Sequence, residues 1–96
     1  MIYAVLFEDN DGRAAIRGEH LPDHLAFLER NASVVRAAGP LAEGGTAAGG
    51  LWLVQAECPE AVCRLIEADP FWPTGLRKSV RIMEWRQVFA DGRRLI

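Results

Sequence analysis

Ile2-Tyr3-Ala4-Val5-Leu6-Phe7 is an apolar run of strand formers, closed by the turn signal Glu8-Asp9-Asn10-Asp11-Gly12. Successive side chains of a strand point to opposite faces, so Ile2, Ala4 and Leu6 share one face and Tyr3, Val5 and Phe7 the other. Both faces are apolar. An antiparallel sheet with one face in water would instead alternate apolar and polar residues. The pattern recurs further along. Leu51 and Leu53 oppose Trp52 and Val54, while Val80, Ile82 and Val88 oppose Met83, Trp85 and Phe89. A sheet built from these strands needs cover on both sides.

The segments between the strands cover one side. Leu21 to Ala38 has helical periodicity, with Pro22 in the first turn and Gly39-Pro40 as the stop. Leu41 to Gly50 is glycine-rich and reads as a short strand and a hairpin connection, followed by a strand over Gly50 to Glu57. Pro59 to Ala68 reads as a short helix with Val62, Leu65 and Ile66 on one side, ended by Asp69-Pro70. Phe71 to Lys78 reads as a loop and Ser79 to Phe89 as the last strand. The order strand, helix, strand, strand, helix, strand predicts an α+β fold of the ferredoxin-like, split βαβ kind. Its four-stranded antiparallel sheet would carry both helices on one face. With no repeat or linker, residues 1–96 form one domain. The second face would expose more apolar surface than monomers usually tolerate, and only Ala90 to Ile96 follow Phe89. Pairing of two copies face to face, a two-fold homodimer, is therefore expected.

Half of the 96 residues are hydrophobic and 25% are charged, an ordinary globular composition. Eleven basic against thirteen acidic side chains leave a net charge of −2, without the basic footprint of a nucleic-acid binder. No apolar run reaches the roughly 18–20 residues of a membrane span. The apolar start meets acidic residues and has no basic flank, unlike a secretory signal. Cys58 and Cys63 suit neither a zinc site nor a disulfide framework, so reduced thiols and a cytoplasmic location are expected.

His24 carries the first hint of chemistry. On the helical wheel it falls within the apolar arc, between Leu21 and Leu28. An imidazole there needs its nitrogens satisfied, and both burial and a place in the first helical turn favour the neutral ring that a general base requires. A core histidine bonded to a backbone carbonyl is the plainer alternative. Asp69 ends the second helix, where its charge opposes the helix dipole by about 0.3–1 kcal/mol. It is either a turn residue before proline or a carboxylate reserved for a partner. Two helices side by side on one sheet face permit His24 and Asp69 to meet as a His–Asp pair. Arg17 can bind a substrate oxygen or remain a solvated surface residue. Ser79 has no base beside it in sequence, and Trp72 can wall a pocket or fill the core. His20 and His24 lack a third metal ligand, so no metal is expected. The glycine pairs do not lie between a strand and a helix, as a phosphate loop would.

Several segments together resemble a YciI-like (YCII-related) domain. They are Met1-Ile2-Tyr3-Ala4-Val5, Arg17 ahead of Asp23-His24-Leu25, Ala38-Gly39-Pro40-Leu41, and Glu67-Ala68-Asp69-Pro70-Phe71. Leu21 stands where an arginine often precedes the Pro-x-His-Leu segment. The resemblance covers about residues 1 to 90 and implies a dimeric α+β barrel. It also implies an active-site pocket with a His and an Asp, which fall on His24 and Asp69. A dehydrochlorinase acting on a chlorinated hydroquinone is among the family's members.

The expectation from residues and resemblance together is a cofactor-independent enzyme of lyase or isomerase type, acting on a small cyclic or aromatic molecule. His24 would be the base and then the acid, with Asp69 as its orienter or a second acid/base. Arg17 and Ser79 would position a substrate oxygen, and Leu28, Phe71 and Trp72 would line the pocket. A non-catalytic metabolite-binding or sensory module and a structural dimerisation domain are the alternatives. Haem chemistry, found on related folds, stays open at this point.

Overall fold

In a computed structural model describing residues 1–96, the opening apolar run becomes β1 (Ile2–Asp9), one of the two central strands. It is followed by α1 (Ala14–Arg30), β2 (Val35–Glu43), β3 (Thr46–Gln55), α2 (Pro59–Glu67), a 3₁₀ turn (Trp72–Thr74) and β4 (Arg77–Glu84). A two-strand hairpin, β5 (Phe89–Ala90) and β6 (Arg93–Arg94), ends the chain. The main sheet has the order β2-β3-β1-β4, antiparallel throughout. This is the expected α+β, ferredoxin-like fold. No helix is long and apolar enough to cross a membrane.

One face of the sheet builds the core. Tyr3, Val5, Phe7, Trp52 and Val54 are buried in a cluster with Phe27 of α1 and with Val62 and Ile66 of α2. Both helices thus cover the same face, and each large apolar side chain buried there stabilises the fold by about 1.5–3 kcal/mol. Ile2, Ala4, Leu6, Leu51 and Leu53 lie on the other face and are only half-buried. Close approach of β1 and β3 requires glycine at one point. A Cβ on Gly49 would lie 1.8 Å from the Phe7 carbonyl oxygen.

The helix boundaries differ from the sequence reading. α1 begins at Ala14, not Leu21, and ends at Arg30, not Ala38. Its first turns use Ala14, Ala15, Arg17 and Glu19, all compatible with helix, and Pro22 falls inside. Proline there removes one bond from the helical ladder, to the Gly18 carbonyl, without ending the helix. Asn31 closes α1, its Nδ2 donating to the Phe27 carbonyl at 2.8 Å. Of the β-branched pair Val34-Val35, Val35 then begins β2 rather than continuing the helix, and Gln55 N–H donates to the Val34 carbonyl just before it at 2.8 Å. Gly39 and Pro40, expected as the helix stop, lie within β2. An edge strand tolerates proline because an outward position needs no ladder donor.

The last strand is also shorter than expected. β4 ends at Glu84, and Phe89 belongs to the terminal hairpin, which turns through Asp91 and Gly92 at positive φ. Val88 and Phe89 are exposed, so neither extends the apolar face of the sheet.

Candidate functional site

His24 lies in the middle of α1, well past its first turn, so the helix-dipole contribution expected from the sequence does not apply. Its ring is buried beside Phe27, and Phe71 stacks against it with centroids 4.3 Å apart and planes 26° from parallel. Trp52, tilted at 6.0 Å, bounds it from the sheet. Asp69 lies just past α2, in a turn that fixes its side chain. Phe71 N–H donates to Asp69 Oδ1 at 3.2 Å and Trp72 N–H donates to the Asp69 carbonyl at 2.8 Å. This is the local turn that an Asp before proline favours.

The fold brings the two together across 45 residues of chain, with His24 Nδ1 2.7 Å from Asp69 Oδ1. A carboxylate can only accept, so Nδ1–H donates, and in the neutral ring Nε2 holds the lone pair. Nε2 has no hydrogen-bond partner in the chain. The one enclosed side-chain nitrogen or oxygen without a partner is Arg77 Nε, so His24 Nε2 is open rather than sealed. It opens on a cavity of about 230 Å³, which His24 lines with Arg17, Leu21, Leu28, Trp52 and Arg77. A buried, oriented imidazole with a free basic nitrogen on a cavity can accept a proton, and Asp69 can stabilise the imidazolium that results.

The other sequence candidates separate into three groups. Arg17 and Leu28 line the cavity. Arg17 Nη2 also pairs with Asp9 Oδ2 at 2.5 Å and donates to the Gly49 carbonyl at 3.4 Å. Phe71 is fully buried and supports the His24 ring rather than facing the void. Trp72 and Ser79 depart from expectation. Trp72 is exposed in the 3₁₀ turn and neither walls the cavity nor fills the core. Ser79 lies on the opposite face of the sheet, because Val80 and Ile82 are the β4 residues that pack against the core. Its hydroxyl bonds Glu8 Oε1 at 3.1 Å, beside a separate depression with Leu6 and Arg81.

Arg77 is a charged residue of the cavity that the sequence reading did not single out. Strand alternation from Val80 would turn Arg77 away from the helices. A bulge intervenes, since Ser79 pairs with Glu8 but Arg77 pairs with Asp9, leaving Lys78 unpaired. The extra residue turns Arg77 inward, where its guanidinium lies 4.0 Å over the Phe7 ring and 3.4 Å from Asp9 Oδ1. Burial pushes its pKa below the ordinary arginine value and the Arg17 charge acts in the same direction, while Asp9 and Asp69 oppose both. No residue pattern announces that bulge.

A TM-score of 0.82 relates this structure to 5-chloro-2-hydroxyhydroquinone dehydrochlorinase (TftG) of Burkholderia phenoliruptrix AC1100, solved in complex with 2,5-dihydroxybenzoquinone. The two are 26% identical, over 90% of this chain and 94% of that one. A protein of Arabidopsis thaliana is 18% identical over 94% of this chain and 97% of its own, with a TM-score of 0.49, too distant to inform the site. No protein of curated function matches the sequence. The family model of the YCII-related domain matches residues 1–86. The chain belongs to the YCII-related domain family.

Proposed function

We propose that the protein is a small-molecule enzyme of lyase or isomerase type in which His24 moves a proton and Asp69 orients it. The observation that carries this reading is the 2.7 Å bond at Nδ1 combined with an open Nε2 on a cavity. Nε2 takes a proton from a substrate carbon or hydroxyl, and the imidazolium is held by the Asp69 carboxylate. The proton then returns to another atom of the substrate, or the electron pair expels a leaving group. Neither route needs a cofactor. About 230 Å³ is less than drug-sized pockets offer and suits a single ring. Leu21, Leu28 and Trp52 supply apolar walls for it.

The likeness to a dehydrochlorinase that binds a dihydroxybenzoquinone supports a planar, oxygenated ring as the substrate. Chloride release from 5-chloro-2-hydroxyhydroquinone tests the reading. Wild-type protein is expected to release chloride, with His24→Ala slower by about 10²–10⁴-fold. Release by His24→Ala at the wild-type rate, or none from the wild type, contradicts it.

The working unit in this reading is a homodimer formed through the second sheet face. That face presents a shallow apolar depression of about 340 Å³ between Ala4, Leu51, Leu53, Met83 and Trp85. Such a surface favours a partner of the same kind. Cys58 and Cys63 are both free, which suits a reducing, cytoplasmic setting.

A further inference from the structure

The proton shuttle leaves one buried charge unused. The Arg77 side chain is only 5% exposed, and Asp9 is the one carboxylate that pairs with it. Asp9 is shared, with Arg17 at 2.5 Å and Arg77 at 3.4 Å, so two guanidiniums face a single carboxylate. Of the Arg77 donors, Nη1 alone reaches a partner. Nε is enclosed and bonds nothing, and Nη2 bonds nothing yet is not enclosed.

Buried arginines ordinarily use their planar fork on a carboxylate or phosphate, and an unused donor in a dry site is costly. Arg77 is held instead by aromatic faces, Phe7 at 4.0 Å and Phe71 at 5.3 Å. Ring faces attract the cation but do not take its in-plane N–H donors. Phe71 lies against both groups, the guanidinium and the His24 imidazole, which line the same cavity. Gly50 makes room for this placement, since a Cβ there would come within 3.2 Å of Nη1.

We propose that Arg77 binds an anionic oxygen of the ligand in the His24 cavity, so that the ligand is a small planar oxyanion. A carboxylate, a phenolate and an enolate share this chemistry. The proposal rests on the reading of that cavity as a ligand site and names its substrate class. Fixed guanidinium donors would hold the negative charge on oxygen while the proton passes to Nε2, a pre-oriented stabilisation of the oxyanion. The ligand oxygen in turn would satisfy Nη2, the accessible donor that the chain leaves unpaired.

Titration of the full-length protein with benzoate, 4-nitrophenolate and neutral benzamide tests this. At least one anion is expected to bind wild type about tenfold or more tightly than benzamide, and which anion does so identifies the oxygen. Arg77→Met is expected to lose that preference, with benzamide affinity changed less than about twofold, and Arg77→Lys to keep part of it as a charge without the fork. A wild type with no preference, or with no binding of any probe at millimolar concentration, overturns the proposal. So does Arg77→Met with the preference intact, or with all three probes weakened alike, which would mark a structural strut. Should Arg77→Met fail to fold, Arg77→Lys carries the test, its partial loss of the preference supporting the proposal and an unchanged preference overturning it. Anion preference without His24-dependent turnover would keep Arg77 in this role and remove the enzyme reading, and the reverse pattern would do the opposite.

Discussion

At the scale of the residue, the pair His24 and Asp69 explains why a carboxylate follows α2 where the helix dipole disfavours it. Asp69 Oδ1 accepts from both the imidazole and the Phe71 amide, so the turn and the histidine share one anchor. Asp69→Asn can preserve the shape of the turn but can also offer an N–H to Nδ1, which selects the wrong tautomer. Turnover is expected to fall by about 10²–10⁴-fold with little change in melting temperature, as steady-state rates and thermal unfolding would show. Asp69→Ala leaves the buried Phe71 N–H unpaired as well, and is expected to cost about 1–3 kcal/mol of stability by denaturant titration. His24 and Asp69 were legible as candidates because each violates a local preference, an imidazole on an apolar arc and an acid at a helix end. Arg77 was not, because the bulge at Lys78 turns it toward the helices and its cause is tertiary. Ser79 was misplaced because alternation alone does not say which β4 face the helices cover.

At the scale of the element, the strands were the readable part of the chain. Their period-two alternation is imposed by the sheet itself and groups Tyr3, Val5 and Phe7, and likewise Trp52 and Val54, on single faces, although with both faces apolar only the structure shows these to be the inward ones. Helix ends are set by weaker, competing preferences, which is why Pro22 misled the start of α1 and Val34-Val35 its end. Two predictions test the β1 pairings. Gly49→Ala forces a Cβ into the Phe7 carbonyl, and is expected to destabilise by about 1–3 kcal/mol or more. An unchanged denaturation midpoint would contradict the β1–β3 register. On its other side β1 sets Tyr3 opposite Glu84 of β4. Burial raises the Tyr3 pKa above 10.0, followed by the charges of Glu84, Cys58 and Glu60. Tyr3 is the only tyrosine, so its ultraviolet titration reports this group alone and is expected to have its midpoint above 10.0. Above that pH the unfolded chain ionises first and binds fewer protons, so stability should fall until the folded-state midpoint is passed. Tyr3→Phe should flatten this fall.

At the scale of the whole molecule, two features follow from the same sheet. Its inner face carries the helices and the cavity, and its outer face leaves Leu51, Leu53, Met83 and Trp85 without cover from the terminal hairpin. Leu53→Asp is expected to convert a dimer into a monomer, measured by sedimentation at micromolar concentration, while a wild type that is already monomeric would contradict the pairing. Sequence showed the need for cover on that face but not the place of the hairpin, which depends on where β4 leaves the sheet. The meeting of α1 with the turn after α2 is the other consequence, and the proposed function rests on it. Long-range ¹H–¹⁵N correlation spectra of the neutral His24 ring test it directly, with His24→Ala to separate its signals from those of His20. A proton on Nδ1 and a bare Nε2, reverting to the Nε2–H form in Asp69→Ala, is the predicted result. A proton on Nε2 in the wild type, or a tautomer indifferent to Asp69, would contradict it.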